Sequence, residues 1–303
     1  MTPSNLRVGI VGLGSMGKRY LSYLLEKGND TISVCDNRMT VEQWIAESEI
    51  NKDVDYYSTF NELLDLKLQL LIIATPAKTH MQFLQDLRRH HPTCSVLVEK
   101  PLSDVSLSHD ELRWCLSQAT NGLISVGYNW RLHSFAKHLH KIRYFIKDLT
   151  LYVSSDMRQW PGEHYCDPLR EFSHELDLVR YFTYGTRFHS IRMITQGRFV
   201  IDGAHHQGRW RVRVDPYREP SRRWIRITMM DGSIIKYAWD KQPEVIEGMY
   251  REQLRELYES TINNETSDFL TCNLSDAIGT TLMVDEIADE LERVECESAG
   301  VVM

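Results

Sequence analysis

Short apolar runs alternate with helical stretches through the first 127 residues. Leu6–Val11 reads as a strand, Ser15–Lys27 as a helix, and Thr31–Asp36 as a strand before a helical stretch around Val41–Glu49. Leu70–Thr75, Ser95–Val98 and Leu123–Gly127 read as further strands, separated by helices over His80–His90 and Ser106–Ala119. Runs that are apolar on both faces and alternate with helices predict a parallel sheet covered on both sides. After Tyr128 the rhythm changes. A helix over His133–Ile146 leads to a strand at Leu149–Ser154, a Trp160-Pro-Gly loop and a helix from about His174 to Tyr184. Hairpins fill Arg187 to Trp239: Arg209-Trp-Arg-Val-Arg-Val alternates by two, and Asp231-Gly232 sits between two apolar runs. Two amphipathic helices, near Glu244–Asn263 and Ser275–Val294, follow. The pattern predicts a doubly wound α/β domain over 1–128. An α+β domain over 129–303, built on an open, mostly antiparallel sheet, is expected to follow it.

A length of 303 residues suits two such cores. The 42 acidic and 35 basic residues leave a formal charge of −7, which argues against a nucleic-acid binder. No apolar run approaches the ~20 residues that span a bilayer, and the first residues lack the basic region of a signal peptide. The six cysteines include no CxxC pair, which suggests reduced thiols in a cytoplasmic protein, with core packing for Cys35 and Cys115. No histidine has the convergent partners that zinc needs, so no metal is expected.

Gly12, Gly14 and Gly17 spell G-x-G-x-x-G between a predicted strand and a predicted helix, with Ser15 and Met16 inside the turn. Gly12 permits the tight turn, Gly14 a bare backbone for a pyrophosphate, and Gly17 close packing of helix on strand. Asp36, ending the next strand 19 residues on, can accept hydrogen bonds from the ribose hydroxyls of NAD and repel a 2′-phosphate. Arg38 stands ready to stack on an adenine or to pair with that phosphate, so NAD is expected and NADP left open.

Further motifs stand at later strand ends: Ala74-Thr75-Pro76 with His80, Glu99-Lys100-Pro101, and Gly127-Tyr128-Asn129-Trp130-Arg131. Together with the glycine loop this series resembles the Gfo/Idh/MocA oxidoreductases. Ser173-His174-Glu175-Leu176-Asp177 is similar to that family's substrate-domain helix, in wording nearest to members of bacterial surface-sugar biosynthesis. The resemblance implies a Rossmann domain, a substrate domain, a nicotinamide cofactor and a sugar or nucleotide-sugar substrate. A homodimer or homotetramer through the C-terminal sheet is implied as well. It places Ala74, Thr75, Pro76, His80, Glu99 and Lys100 at the cofactor, and Lys100 and His174 at the reacting carbon. The family's aspartate before that histidine is missing. Arg170 and Glu171 occupy its positions, with Cys166-Asp167-Pro168-Leu169 where glycines are usual, so Glu171, Asp167 or Asp177 is left to serve His174. Tyr128, Asn129, Arg131, Arg158, Trp160 and Tyr165 are of the kind that grip a sugar.

The residues themselves support part of this. Lys100 ends an apolar strand at the edge where open α/β sheets bind ligands, and Pro101 directs it. His174 has an unperturbed pKa of ~6.5 suited to proton transfer, behind Ser173 as helix cap and with Asp177 one turn on. Two readings compete: a dinucleotide-binding sensor without catalysis, and an imine- or biliverdin-type reductase.

Overall fold

The computed structural model describes residues 5–28, 30–37, 54–119, 123–159, 168–195, 198–239, 243–266 and 270–298. The chain divides into two compact units. The first is Met1–Ser103, Leu107–Asn129 and Glu247–Ile278; the second is Asp104–Ser106, Trp130–Ile246 and Gly279–Met303.

The first unit begins with β1 (Arg7–Val11), α1 (Ser15–Lys27), β2 (Thr31–Cys35) and β3 (Val54–Tyr57). It continues through α2 (Phe60–Leu64), β4 (Leu70–Ile73), α3 (His80–His90), β5 (Ser95–Val98), α4 (His109–Ala119) and β6 (Ile124–Val126). The six strands are all parallel, in the order β3-β2-β1-β4-β5-β6. Leu70, Leu71, Ile72 and Ile73 are fully buried, as a strand covered on both faces requires. The edge strand β3 was not legible in the sequence, because only part of its VDYY segment turns inward. The helix expected around Val41–Glu49 lies outside the described residues. Helix α4 starts three residues later than the pattern suggests. Ser108 and Glu111 form a capping box there: Ser108 N donates to Glu111 Oε2 at 2.9 Å and Glu111 N to Ser108 Oγ at 3.2 Å.

The second unit holds α5 (Ser134–Lys141), β7 (Ile146–Asp156), α6 (Pro168–Glu171) and α7 (Ser173–Phe182). It adds β8 (Arg187–Thr195), β9 (Arg198–His205), β10 (Gly208–Asp215), β11 (Tyr217–Met229) and β12 (Ile234–Ala238). The helix expected over His133–Ile146 stops at Lys141, and Ile146 opens a strand instead. That strand, β7, pairs antiparallel with β11 and parallel with β10 in the order β12-β11-β7-β10-β9-β8. The other pairings are antiparallel, so the sheet is mixed and mostly antiparallel.

Helices α8 (Pro243–Asn263) and α9 (Leu274–Ser298) follow. Most of α8 and the start of α9 belong to the first unit, which a single boundary near residue 128 leaves out. Their apolar faces explain the return. Leu254, Leu257, Tyr258 and Leu270 share a core cluster with β1, β2 and α1, while Cys272, Leu274, Ala277 and Ile278 join the cluster on the opposite face. Gln253 Nε2 donates to Ser125 Oγ and Val126 O at 2.9 and 2.7 Å, and Val126 N to Cys272 O at 2.8 Å. These bonds cover the open edge of β6.

Candidate active site

In the first unit the site begins at the turn after β1. Gly12 has φ +90, and a Cβ there would lie 2.7 Å from the Ala74 carbonyl oxygen. A Cβ on Gly17 would lie 1.8 Å from the Gly12 carbonyl oxygen. At Gly14 a Cβ meets nothing within 4 Å. Gly14 also caps α1 with no side-chain hydrogen bond, and neither acid nor proline stands in the helix's first turn. The result is an open helix N-terminus whose backbone N–H groups suit a phosphate. Asp36 is half-buried beside this turn, its Oδ2 accepting Leu13 N at 2.6 Å. Ser15 is exposed, whereas Met16 packs partly into the core. This cradle fits a dinucleotide. Arg38 lies outside the described residues.

Ala74, Thr75 and Pro76 follow β4, half-buried. His80 lies beneath them, 1% exposed, with Nε2 2.7 Å from Thr75 O and Nδ1 2.9 Å from Pro101 O. It ties two strand-end loops together from inside. Lys100 follows β5, half-buried, and its bond to Pro101 is cis. Glu99 is buried, accepting Tyr20 Oη at 2.7 Å on one oxygen and the Lys100 backbone N–H at 3.2 Å on the other. Burial pushes the Glu99 carboxyl and the Tyr20 phenol up from their ordinary pKa ranges. Tyr20 was not foreseen. An aromatic residue on the inner face of a helix gives no sequence signal for a partner 79 residues away.

Tyr128 and Asn129 are buried after β6, and the Tyr128 carbonyl accepts the Cys272 thiol at 3.1 Å. Asn129 Nδ2 is a buried donor without a partner among the described residues.

In the second unit His174 stands at the start of α7, 8% exposed, its ring edge-on to Trp130 with centroids 6.5 Å apart. Phe172, not Ser173, is the helix cap, and Ser173 is buried inside the first turn. Trp130 also meets Trp239 and His133, with centroids 6.0 and 6.3 Å away, and carries the Arg223 guanidinium 4.4 Å above its ring. Arg223 Nε donates to Glu175, which is wholly buried. Glu175 and Arg223 had not been singled out. SHELD marks the glutamate, but nothing in sequence spacing pairs it with a residue on β11.

Asp177 accepts Arg131 Nε and Nη2, each at 2.7 Å, and Thr280 Oγ1 at 3.0 Å. It therefore holds Arg131. Arg131 is 2% exposed and lies over the Tyr181 ring. Glu171 ends α6, half-buried, one turn before His174; its neighbour Arg170 pairs with Asp285 at 2.8 Å. Arg158 is mostly exposed and paired with Asp156 at 2.7 Å. Trp160, Tyr165 and Asp167 lie outside the described residues.

Cys35, Cys94, Cys115 and Cys272 are buried and in no disulfide, and burial pushes Cys35 up to about 11 and Cys94 and Cys115 up to about 12. No described group of side chains forms a metal site, and no described helix is long and apolar enough to cross a membrane.

Residues 6–127 match a family model described as an oxidoreductase family with an NAD-binding Rossmann fold. No curated protein matches the chain in sequence. Solved structures match its fold at low identity. Scyllo-inositol dehydrogenase from Lactobacillus casei, solved with NAD(H) and scyllo-inositol, has 14% identity and a TM-score of 0.76, over 96% of this chain and 98% of its own. Myo-inositol dehydrogenase from Corynebacterium glutamicum has 13% identity and a TM-score of 0.76, over 95% and 96%. UDP-N-acetylglucosamine 3-dehydrogenase from Acidithiobacillus ferrooxidans has 13% identity and a TM-score of 0.73, over 95% and 98%.

Proposed function

The chain belongs, through residues 6–127, to the Gfo/Idh/MocA oxidoreductases, and from that premise we propose that it oxidises or reduces a carbinol carbon of a sugar or nucleotide sugar. NAD is the cofactor; when bound, it supplies the hydride acceptor and donor at its nicotinamide. The observation that carries the reading is the strand-end pair Glu99–Lys100. A buried carboxylate grips the lysine's own backbone N–H, two strands over from an open phosphate cradle.

The chain's residues divide the work. The N–H groups opening α1 and the bare Gly14 backbone hold the pyrophosphate, and Asp36 receives the ribose hydroxyls. Lys100 donates a hydrogen bond to the substrate oxygen as it gains negative charge. His174 carries the hydroxyl proton, with Glu171, one turn away, as its carboxylate partner. The family match, with inositol and UDP-sugar dehydrogenases among the solved structures that share the fold, favours a polyol or glycosyl substrate over an imine or a tetrapyrrole. A place in surface-polysaccharide or nonulosonate synthesis follows from the SHELD wording and is part of this proposal.

The test is turnover on a panel of inositols, free sugars and UDP-amino sugars with NAD. Turnover on one class supports the reading; NAD binding with no turnover on any of them leaves the sensor. On the active substrate, His174→Ala and Lys100→Ala should each cost on the order of 10²–10⁴ in rate with NAD affinity nearly unchanged. Wild-type turnover in His174→Ala would leave the proton to Lys100. Asp36→Ala should narrow the preference for NAD over NADP, measured as the ratio of the two dissociation constants.

A further inference from the structure

Helix α1 buries one stripe, Gly17, Tyr20, Leu21 and Leu24, and of these Tyr20 alone ends in a polar group. Its ring lies in the apolar core, 1% exposed, and its Oη donates to Glu99 Oε1 at 2.7 Å. The other oxygen, Glu99 Oε2, accepts the Lys100 backbone N–H at 3.2 Å. The Gly127 backbone closes that side: a Cβ there would lie 2.8 Å from both Glu99 Oε2 and Lys100 N. Each carboxylate oxygen thus meets one donor. One comes from the helix that opens the phosphate cradle, the other from the lysine that follows β5. All of these residues belong to the first unit.

A buried acid is costly unless its partners match its protonation state. Both Glu99 oxygens accept, so the surroundings are built for the ionised form. Burial opposes that charge, while Tyr20, Lys100 and Arg19 favour it. Arg19 is engaged elsewhere, its Nε 3.3 Å from Glu247 and its guanidinium 4.8 Å above the Tyr250 ring. Tyr250, from α8, stands edge-on to Tyr20 with centroids 6.1 Å apart. Tyr20 is therefore the neighbour from another element that bonds the carboxylate directly. Burial and the nearby Glu99 charge push the Tyr20 phenol up, so it keeps its proton and acts as a donor.

We propose that Tyr20 is a positioning residue for Lys100. By donating to Glu99 it holds the carboxylate against the lysine's backbone, and so sets the direction from which the side chain meets the substrate oxygen. This role rests on the one proposed above for Lys100. Packing alone does not need the hydroxyl, since leucine or phenylalanine would fill the same stripe of the helix. A phenol donating to a carboxylate makes a charge-assisted bond, stronger than a neutral one, and so favours the ionised acid. Without the hydroxyl, Glu99 Oε1 loses its donor, and the acid takes up a proton at higher pH. Its grip on Lys100 then weakens, because a neutral carboxyl oxygen is the poorer acceptor.

The test uses Tyr20→Phe, which keeps the ring and removes the hydroxyl. Lysines of the NAD-free full-length protein are dimethylated with isotope-labelled formaldehyde. The Lys100 resonance, identified by its loss in Lys100→Arg, is then followed against pH. In the wild-type protein it should show an inflection from Glu99, moved to higher pH in Tyr20→Phe and lost in Glu99→Gln. An unmoved inflection in folded Tyr20→Phe overturns the proposal, as does one that survives Glu99→Gln or its absence from the wild-type protein. If Tyr20→Phe does not melt cooperatively, the Glu99→Gln arm decides. On a substrate that turns over, kcat/KM of Tyr20→Phe should fall roughly tenfold at acid pH, the worth of one hydrogen bond to a charged group. It should recover towards the wild-type value as pH rises. A loss equal at every pH is the mark of a merely structural residue and overturns the proposal too. Absence of turnover on every substrate sinks the sugar-oxidoreductase reading alone, since the resonance needs no substrate.

Discussion

Gly14 and Gly17 are three residues apart and answer to different demands. A methyl group at Gly14 meets nothing in the protein, yet it projects where a pyrophosphate approaches. Gly14→Ala should melt like the wild-type protein and bind NAD at least several-fold more weakly. Gly17→Ala forces a methyl group into the Gly12 carbonyl and should cost roughly 1–3 kcal/mol of stability or more. Thermal melts alongside NAD titrations separate the two, and equal loss of stability in both would remove the distinction. At this scale the sequence was most legible where function rests on local spacing. The three glycines and Asp36 can be read because one turn and two adjacent strands set their geometry. Arg131 and Asp177 could not be paired from sequence, since their 46-residue separation closes only through the tertiary fold. The same is true of Tyr20 with Glu99 and Arg223 with Glu175.

The limits at the level of elements have a similar cause. Helix α1 was legible to its last residue because glycines bracket it, whereas the α5 region was read as one long helix. The chain leaves the helix at Lys141 because tertiary pairing of Ile146–Asp156 with two strands outweighs a helical pattern that local propensity alone would extend. His133 starts α5 by accepting Phe135 N at Nδ1, 3.1 Å away, which keeps the ring neutral. Burial lowers its pKa, and that of His205, below the ordinary histidine value. The unfolded chain therefore takes up these protons at higher pH than the folded one. Stability should fall as pH drops from the unfolded value, ~6.5, towards the lower folded values. His133→Asn keeps a cap acceptor without a titrating ring. Its melting temperature between pH 7 and 5.5 should decline less than that of the wild-type protein; an equal decline would clear His133 of any part in it.

At the scale of the molecule, the nucleotide-binding unit is assembled from segments far apart in sequence. Six large side chains of the returning stretch, Leu254, Leu257, Tyr258, Leu270, Leu274 and Ile278, are buried in its two clusters. At ~1.5–3 kcal/mol each, their burial is worth on the order of 10 kcal/mol, comparable with the whole stability of a typical domain. A fragment ending at Asn129 should therefore lack a cooperative melting transition and NAD binding, and fusing residues 247–278 to it through a flexible linker should restore both. Cooperative melting of the short fragment would show that the return is dispensable. During synthesis the same arrangement imposes a delay. A ribosome adding ~5–20 residues per second needs roughly 6–25 s to travel from Asn129 to Glu247, and throughout that interval the apolar surfaces of β1, β6 and α1 await their cover. The nascent chain is therefore a natural client for chaperones that hold apolar segments, in a window set by how far apart the gene places two halves of one core.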